Sequence, residues 1–310
     1  MRVIVIVPTF NPGRNWNKWL VAYSSQEANI VKLLIVDSSS TDGFLTAPSC
    51  GNTDVIVIKK GEFNHGGTRH QAVKLVEAEA DVVVFLTQDA ILASPNSIKQ
   101  LLSAFVDPNV SAAYGRQLPH PGAHPIEAHA RIYNYSNRSS TKVLADKASL
   151  GLKSIFISNS FAAYRVEDYL LSGGFSTNAL FGEDTILASK LLLAGKKIRY
   201  EARACVYHSH NYSYLQEFKR YFDVGAMHSM ESSLLEIFGE ATGEGMRFVK
   251  SEFAYIFRNA WFLVPSAAIR SLCKIVGYRL GRCESVLPLL AKRALSMHPG
   301  FWNNDFSHHE

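Results

Sequence analysis

The sequence predicts an α/β fold in which a mainly parallel sheet is flanked by helices and followed by a helical C-terminal extension. Near the start of the chain, short runs of β-branched residues alternate with helical patterns, as they do in βαβ units. From Tyr214 to about Ser296 the pattern is mostly helical and basic. We therefore expect an α/β domain at residues 1–212 and a helical, basic region at residues 213–310.

Strands and helices are predicted in alternation along the first part of the chain. The strands are Val3–Val7, Leu33–Val36, Val55–Ile58 and Val82–Leu86. The helices lie at about Trp16–Ala28, Thr68–Ala80, Ser97–Phe105 and Ile126–Arg138. Pro265 is expected to break or kink a later helix. Because parallel strands joined by crossover helices end at one edge of the sheet, polar residues that follow the strands are candidates for a ligand site.

The composition is that of a folded protein with a sizeable core. Of 310 residues, 47% are hydrophobic and 19% are charged, without the signature of a disordered tail. The formal net charge of +5 is too small to indicate a nucleic-acid partner. Neither the apolar run Val3–Val7 nor the uncharged stretch Asn259–Ile269 is long enough for a membrane span, so none is predicted.

The cysteines favour a reduced, cytoplasmic protein. They form no Cys-x-x-Cys pair, and their spacing from the histidines does not suit a structural zinc site. The four cysteines are Cys50, Cys205, Cys273 and Cys283.

Short polar residues follow the first and second predicted strands. The candidates for nucleotide binding among them are Pro8, Thr9, Asn11, Asp37, Ser38 and Ser40. Backbone amides after the first strand can meet a nucleotide, and the Asp37 carboxylate can accept a hydrogen bond from a pyrimidine N3–H. The alternatives are an ordinary turn after the first strand and, at Asp37, an Asx or Ser turn that caps the next helix.

A glycine-bearing segment, Phe63–Arg69, leads from the third strand into a helix. His65, Gly66, Gly67 and Arg69 are candidates here, because amides at a helix N-terminus can meet a phosphate. Arg69 in the first turn is unfavourable for the helix dipole unless an anion is near, which favours a ligand. The alternative is a glycine turn with a solvated arginine.

Gln88 and Asp89 follow the fourth strand, where a divalent ion bridging two phosphates would need a hard oxygen ligand. His208 and His210 come after another apolar run and can supply a further ligand, since alternate residues of a strand face the same side. The alternative for each histidine is a surface position or a satisfied position in the core.

Two adjacent acids, Glu183 and Asp184, stand at the start of a predicted helix. The glycine-bearing segment Ser172–Phe175 before them is expected to be flexible and to present them to a cleft. An acid held there can remove the proton of an acceptor hydroxyl. The alternative is that both acids only cap the helix.

In their order along the chain, these motifs resemble those of the family 2 glycosyltransferases, which have the Rossmann-like GT-A fold. The resemblance covers about residues 1–215. The segments Phe63–Arg69 and Leu86–Ala90 resemble those of bacterial rhamnosyltransferases that build O-antigen and related surface polysaccharides. This implies an inverting transfer from dTDP-L-rhamnose and a nucleotide-sugar-binding, catalytic domain at residues 1–212.

The resemblance also implies roles for individual residues. Asp37 holds the thymine, Asp184 is the general base, and Glu183 orients the acceptor or Asp184. Arg69 and a metal ion stabilise the departing diphosphate. Gln88, in the family's metal motif, belongs to the nucleotide-sugar site.

The implied cofactor is Mg²⁺ or Mn²⁺. Asp89 takes the place of the last acid in the family's Asp-x-Asp motif, with His208 or His210 completing the metal or diphosphate site. Thr87 stands where the first acid is common, and is a departure from the pattern.

Basic and apolar residues are interleaved in the C-terminal region, as in helices that lie on an anionic bilayer. The basic residues are Arg258, Arg270, Lys274, Arg279, Arg282, Lys292 and Arg293. A lipid-linked glycan acceptor and a peripheral position on the cytoplasmic face of the inner membrane would be consistent with this pattern. The alternative is that these helices cover the catalytic domain or form a homo-oligomer interface.

Rival functions differ in donor or in class. One rival is a family 2 transferase that uses a UDP-sugar, and the segment Phe63–Arg69 is the only sequence feature that argues against it. A non-catalytic nucleotide-sugar-binding protein would not need the pair Glu183 and Asp184. A nucleotidyltransferase is expected to carry a glycine-rich, lysine-bearing loop after the first strand, which Pro8–Arg14 is not.

Overall fold

The computed structural model describes residues 1–48, 51–239 and 243–303, so Cys50 and the last seven residues lie outside the described part. The strands are β1 Val3–Thr9, β2 Lys32–Asp37, β3 Thr53–Val57, β4 Val82–Leu86, β5 Ile91–Leu92, β6 Val110–Leu118, β7 Ser140–Lys142, β8 Phe161–Arg165 and β9 Lys197–Tyr207. The helices are α1 Asn15–Ser24, α2 His65–Val76, α3 Ser97–Leu102, α4 Pro125–Asn134, α5 Lys147–Leu150, α6 Val166–Leu171, α7 Glu183–Leu193, α8 Tyr214–Met230, α9 Ser232–Phe238, α10 Glu244–Asn259, α11 Val264–Arg282 and α12 Leu289–Leu295.

The strands of the described chain form one mixed sheet in the order β3-β2-β1-β4-β8-β6-β9-β5, with β7 paired to β9. Strands β1 to β4 are parallel to one another, as predicted. Strand β8 runs antiparallel to both of its neighbours, β4 and β6. The α/β prediction is confirmed, and the sheet is parallel in its N-terminal half and mixed beyond it.

Both faces of the sheet are covered. Ile4 and Ile6 of β1 face one core, whereas Val3, Val5 and Val7 face the other. Burial on both faces explains why β1 and β4 are continuous apolar runs without polar alternation, whereas the edge strand β3 is largely exposed.

The predicted elements are present with shifted ends. Helix α2 begins at His65, three residues before the predicted Thr68, because the Asn64 side chain caps it by accepting a hydrogen bond from the Gly67 amide at 2.7 Å. The prediction that Pro265 breaks a helix is wrong. Pro265 lies in the first turn of α11, where its missing N–H has no helical partner to lose.

Helices α8 and α11 pack closely through glycines. A side chain at Gly277 or Gly281 of α11 would collide with backbone atoms of α8, and one at Gly225 of α8 would collide with α11. This contact holds α11 closely against α8. Within the described ranges, no helix combines the length and hydropathy needed to cross a bilayer.

Candidate active site

A cavity of about 520 Å³ lies where the strands end. Asp89, Asp184 and His208 line it from the α/β region, and Arg220 and His298 line it from the C-terminal region. The predicted boundary at residue 212 falls in the connector between β9 and α8. Both parts of the chain therefore build the cavity wall.

Asp89, His208 and His210 meet at one side of the cavity. The His208 and His210 Nε2 atoms are 3.0 Å apart, and they lie 3.4 Å and 3.6 Å from Asp89 Oδ2. Strand β9 ends at Tyr207, so strand alternation is not what aligns the two rings, contrary to the reason given from the sequence. The loop after the strand turns both Nε2 atoms toward the same carboxylate.

Gln117 of β6 sets the orientation of His208. Its Oε1 lies 2.9 Å from His208 Nδ1 and also accepts a hydrogen bond from Arg131 Nη1 at 2.6 Å. Because an amide oxygen only accepts, His208 Nδ1 is the donor in this contact, and the ring is held with Nε2 directed toward Asp89.

The charge states suit metal binding. Burial and the neighbouring His208 lower the pKa of His210 to about 4, so this ring is neutral at pH 7. Burial raises the pKa of Asp89, but the hydrogen bond and charge of His208 outweigh burial and hold that pKa well below its usual range. Metal ligands must be deprotonated, and both groups meet this condition.

The donor set fits a divalent transition metal. A metal with bonds of about 2.1 Å holds neighbouring ligand atoms about 3.0–3.4 Å apart. The three observed separations of 3.0, 3.4 and 3.6 Å lie at or slightly beyond this range. Two of the three ligand atoms are imidazole nitrogens, which bind transition metals more readily than Mg²⁺.

The two predicted acids stand in the first turn of α7, after Gly182 in a left-handed conformation with φ of 76°. Glu183 is 5% exposed and lies 3.2 Å from Arg69 Nη1. Asn159 joins the two acids, since its Nδ2 donates to Glu183 at 2.9 Å and its backbone N–H donates to Asp184 at 3.1 Å.

Their environments separate the pKa values of the two acids. Burial and the adjacent Glu183 charge raise the pKa of Asp184 to about 7. Burial also raises the pKa of Glu183, but Arg69 and His65 outweigh burial and lower it overall. Two carboxyl groups whose pKa values are driven apart commonly have different roles, one charged and one exchanging a proton.

The loops after β1 and β2 form a second cluster at the same edge of the sheet. Asp37 is 3% exposed, and its Oδ1 accepts from Thr9 Oγ1 at 2.9 Å and from Ser40 Oγ at 2.5 Å. Asn11, with φ of 44°, accepts from the Thr41 amide at 2.8 Å. The two loops are thus held together by side-chain bonds.

Known proteins resemble this chain over nearly its whole length. It matches the profile described as glycosyl transferase family 2 over residues 4–170. It is 46% identical over 301 residues to the O-antigen chain rhamnosyltransferase WbaN of Salmonella anatum, covering 97% of this chain and 95% of that protein. This chain belongs to the family 2 glycosyltransferases. The predicted family is therefore confirmed.

A second relative and two solved structures agree with this assignment. The glycosyltransferase is 44% identical over 305 residues to the O-antigen chain rhamnosyltransferase RfbN of Salmonella typhimurium strain LT2, covering 98% of this chain and 97% of that protein. Its fold is similar to that of the mannosyltransferase PcManGT from Pyrobaculum calidifontis in complex with GDP-Man and Mn²⁺, at TM-score 0.60, 15% identity and coverage of 92% and 86%. It is also similar to S. aureus TarS 1-349 in complex with UDP-GlcNAc, at TM-score 0.53, 15% identity and coverage of 92% and 91%. These structures confirm the GT-A fold.

The anion expected near Arg69 is a protein carboxylate. Arg69 is 5% exposed and pairs with Glu183. Because α2 begins at His65, Arg69 is its fifth residue and lies past the first turn, where a cation would be unfavourable. The predicted exposed glycine amides are also absent at this helix start. The Gly67 N–H is bonded to Asn64, and Gly66 packs against the carbonyl of Ser176, where a Cβ would not fit.

One further expectation needs correction, and Gln88 has protein partners. The segment Ser172–Phe175 is packed, not free: the Gly174 amide donates to Tyr169 at 2.9 Å, and Gly174 lies against His70 where no side chain would fit. The Gln88 amide faces the Phe10 backbone, accepting from its N–H at 2.7 Å and donating to its C=O at 3.0 Å. Gln88 therefore joins the ends of β1 and β4.

Several residues that border the cavity had no sequence motif to mark them. Gln117 and Asn159 orient the predicted ligands and acids, and Arg131 and Arg220 bring positive charge to the cavity. Each lies far along the chain from the groups it serves, so no local spacing could have revealed it. His65, which was predicted, does line the cavity beside Arg69.

Proposed function

We propose that this glycosyltransferase moves L-rhamnose from dTDP-L-rhamnose to a hydroxyl of a lipid-linked glycan, with inversion, in bacterial surface polysaccharide synthesis. The observation that carries the proposed chemistry is the pair of adjacent acids at the cavity, whose pKa values are driven apart. The pKa of Glu183 is lowered, and the pKa of Asp184 is raised to about 7. The choice of rhamnose rests on the names of the two relatives, each a rhamnosyltransferase aligned over nearly the full chain.

Asp184 is the general base in this proposal. Its carboxylate takes the proton of the acceptor hydroxyl as the hydroxyl oxygen attacks the anomeric carbon. The bond from that carbon to the diphosphate oxygen breaks, and dTDP leaves with the electron pair. One displacement inverts the anomeric carbon, so a β-linked donor yields an α-L-rhamnoside. Glu183 stays charged against Arg69 and, through Asn159, holds Asp184 in position.

Asp89, His208 and His210 would hold a divalent ion, Mn²⁺ or Mg²⁺. When bound, such an ion offsets the charge of a diphosphate leaving group. Gln117 keeps the His208 ring turned with Nε2 toward this site.

Arg131 and Arg220 are the proposed cationic contacts for the diphosphate, in place of Arg69. Both line the cavity, and both lie near enough to His210 to lower its pKa. Arg220 lies over the Tyr212 ring at 5.6 Å, and Arg131 donates to Gln117. Neither forms an ion pair with an acid of the described chain, so their charge is available to an anion.

The cluster of the β1 and β2 loops is the proposed site for the thymidine. Pro8, Thr9, Asn11, Asp37, Ser38 and Ser40 surround it. The Ser38 Oγ atom is buried and has no hydrogen-bond partner among the described residues, so it is a candidate polar contact. The turn role of Asp37 is compatible with a further contact, because a carboxylate can accept about four hydrogen bonds.

The donor preference tests this function. Four donors are compared: dTDP-L-rhamnose, dTDP-glucose, UDP-glucose and UDP-N-acetylglucosamine. In the presence of a glycan acceptor, we expect the fastest nucleotide release with dTDP-L-rhamnose. Released dTDP or UDP is measured by chromatography, with acceptor-free reactions as the control. Equal turnover with UDP-glucose would exclude the proposed donor and favour a UDP-sugar transferase.

Removal of metal is a second test. We expect EDTA to abolish transfer, and Mn²⁺ to restore it more fully than Mg²⁺. Mn²⁺ at 100 times its dissociation constant should also stabilise the parent by about 2.7 kcal/mol, measured by thermal unfolding.

Asp89→Asn and His208→Ala should lose this stabilisation by Mn²⁺, while His120→Ala, a nearby histidine outside the group, should keep it. A metal-free enzyme that retains its full rate would show that these residues do not serve a catalytic ion.

A further inference from the structure

Helix α11 is oriented with its charged residues inward and its apolar residues outward. Arg270 and Lys274 are buried. The outward side of α11 and of the turn before it carries exposed apolar residues, which we call the apolar stripe. They are Trp261, Phe262, Ile269, Leu272, Ile275 and Val276. A helix on the surface of a soluble protein normally has the opposite arrangement.

The inward charges are neutralised by neighbouring helices. Arg270 Nη1 lies 3.5 Å from Glu217 of α8, and Lys274 Nζ lies 3.6 Å from Glu252 of α10. These two cations are therefore not available to an anionic surface, contrary to the sequence-based expectation. The outward side of α11 and of the turn before it is mainly hydrocarbon, with Trp261 71% and Phe262 67% exposed in that turn.

The charged side chains that are exposed in residues 243–303 are all basic. Within residues 243–303, all of which are described, every acid is paired with a lysine or arginine and none is exposed; these acids are Glu244, Glu252 and Glu284. The exposed basic residues of the same range include Lys250, Arg258, Arg279 and Arg293. The surface thus combines apolar and cationic groups without an exposed acid.

We propose that the apolar stripe, together with the exposed basic residues of the same part of the chain, docks onto an anionic lipid bilayer. Aromatic and aliphatic side chains enter the boundary between headgroups and acyl chains, and the basic residues meet the acidic headgroups. A second copy of the chain fits less well, because a contact between two copies of this surface would bring exposed basic residues together with no exposed acid of residues 243–303 to compensate.

This inference goes beyond the proposed transfer reaction and gives it a location. Helix α11 packs on α8, and α8 carries Arg220 into the wall of the catalytic cavity. A bilayer against the outer side of α11 is therefore separated from the cavity by these two helices.

The fluorescence of Trp261 provides a direct test. Trp16, Trp19 and Trp302 are buried, so Trp261 is the exposed tryptophan of the chain. On vesicles of phosphatidylcholine with phosphatidylglycerol, we expect its emission to shift to shorter wavelength and to be quenched by lipids brominated on the acyl chains. Binding should be weaker to phosphatidylcholine alone and should fall as salt increases, because the charge attraction is screened.

Variants separate insertion from unspecific adsorption. Leu272→Ser combined with Ile275→Ser should lower vesicle partitioning by roughly tenfold or more, since apolar burial drives it. Leu171→Ser, at a 79% exposed leucine on α6, should leave partitioning unchanged. Trp261→Phe should still co-sediment with vesicles but lose the lipid-dependent emission change.

Three results would overturn the proposal. One is the absence of quenching by brominated lipid, and another is equal binding to neutral and anionic vesicles. The third is a Trp261 emission maximum that is already at shorter wavelength without lipid, together with a dimer in sedimentation. If the Leu272 and Ile275 changes dissociate that dimer, the partner of the apolar stripe is a second copy of the chain. Transfer to a water-soluble acceptor glycan is measured in the same variants, so a failure here is distinct from a failure of the proposed reaction.

Discussion

Replacing Asp184 with asparagine is expected to lower the rate of sugar transfer by about 10²–10⁴-fold, the usual contribution of a general base. Asparagine has nearly the same shape and retains an oxygen that can accept from the Asn159 amide, so the fold and donor binding should persist. The rate is measured as nucleotide release, and donor affinity by titration calorimetry with dTDP.

The pH dependence gives an independent measure of the same group. Since the pKa of Asp184 in the folded protein is about 7, kcat/KM of the parent should rise with pH and level off above this value. In the unfolded chain the pKa is near 3.8, so the ionised carboxylate destabilises the fold. This destabilisation is complete above pH 7 and disappears below 3.8. Asp184→Asn should therefore unfold at a higher temperature than the parent at pH 8, and the difference should shrink as pH falls.

Asp223→Asn is the matched control. Asp223 also lines the cavity, and burial raises its pKa to about 6, but its Oδ2 is bound to the Met297 amide at 2.9 Å. We expect a much smaller loss of rate than for Asp184→Asn. If Asp184→Asn keeps near-parental turnover while a folded Glu183→Gln variant is inactive, the roles proposed for the two acids are reversed.

Replacing Arg69 with methionine is expected to lower the free energy of unfolding by about 3–5 kcal/mol, because it leaves the buried Glu183 carboxylate without its cation. The loss is measured by urea denaturation. Combining Arg69→Met with Glu183→Gln should recover much of it, since the double variant buries no uncompensated charge.

Lys99→Met provides the comparison for Arg69→Met. Lys99 is 63% exposed and lies 3.8 Å from Glu27, and an exposed pair of this kind contributes about 0–1 kcal/mol. If Arg69→Met is as stable as the parent but binds dTDP weakly, Arg69 contacts the diphosphate and the original sequence-based role is correct.

The predictable parts of the site depend on residues that are neighbours in the chain. Asp89 lies just after β4, and Glu183 and Asp184 begin α7. Their positions could be predicted because hydrophobic patterns locate the ends of strands and the starts of helices. His208 and His210 were also predicted together, although a loop and not a strand brings their rings to Asp89. Gln117 and Asn159 escaped prediction because the groups they orient are distant in sequence.

The sequence alone determined the α/β class, the first four parallel strands, the family and the acids and histidines that line the cavity, because apolar periodicity and motif order are local properties. The tertiary structure decided the direction of β8, the partner of Arg69, the inward direction of Arg270 and Lys274, and the contribution of the C-terminal helices to the cavity. Each of these depends on which remote residues approach one another. Ion pairing and burial follow distance in space, and the order of residues along the chain does not specify that distance.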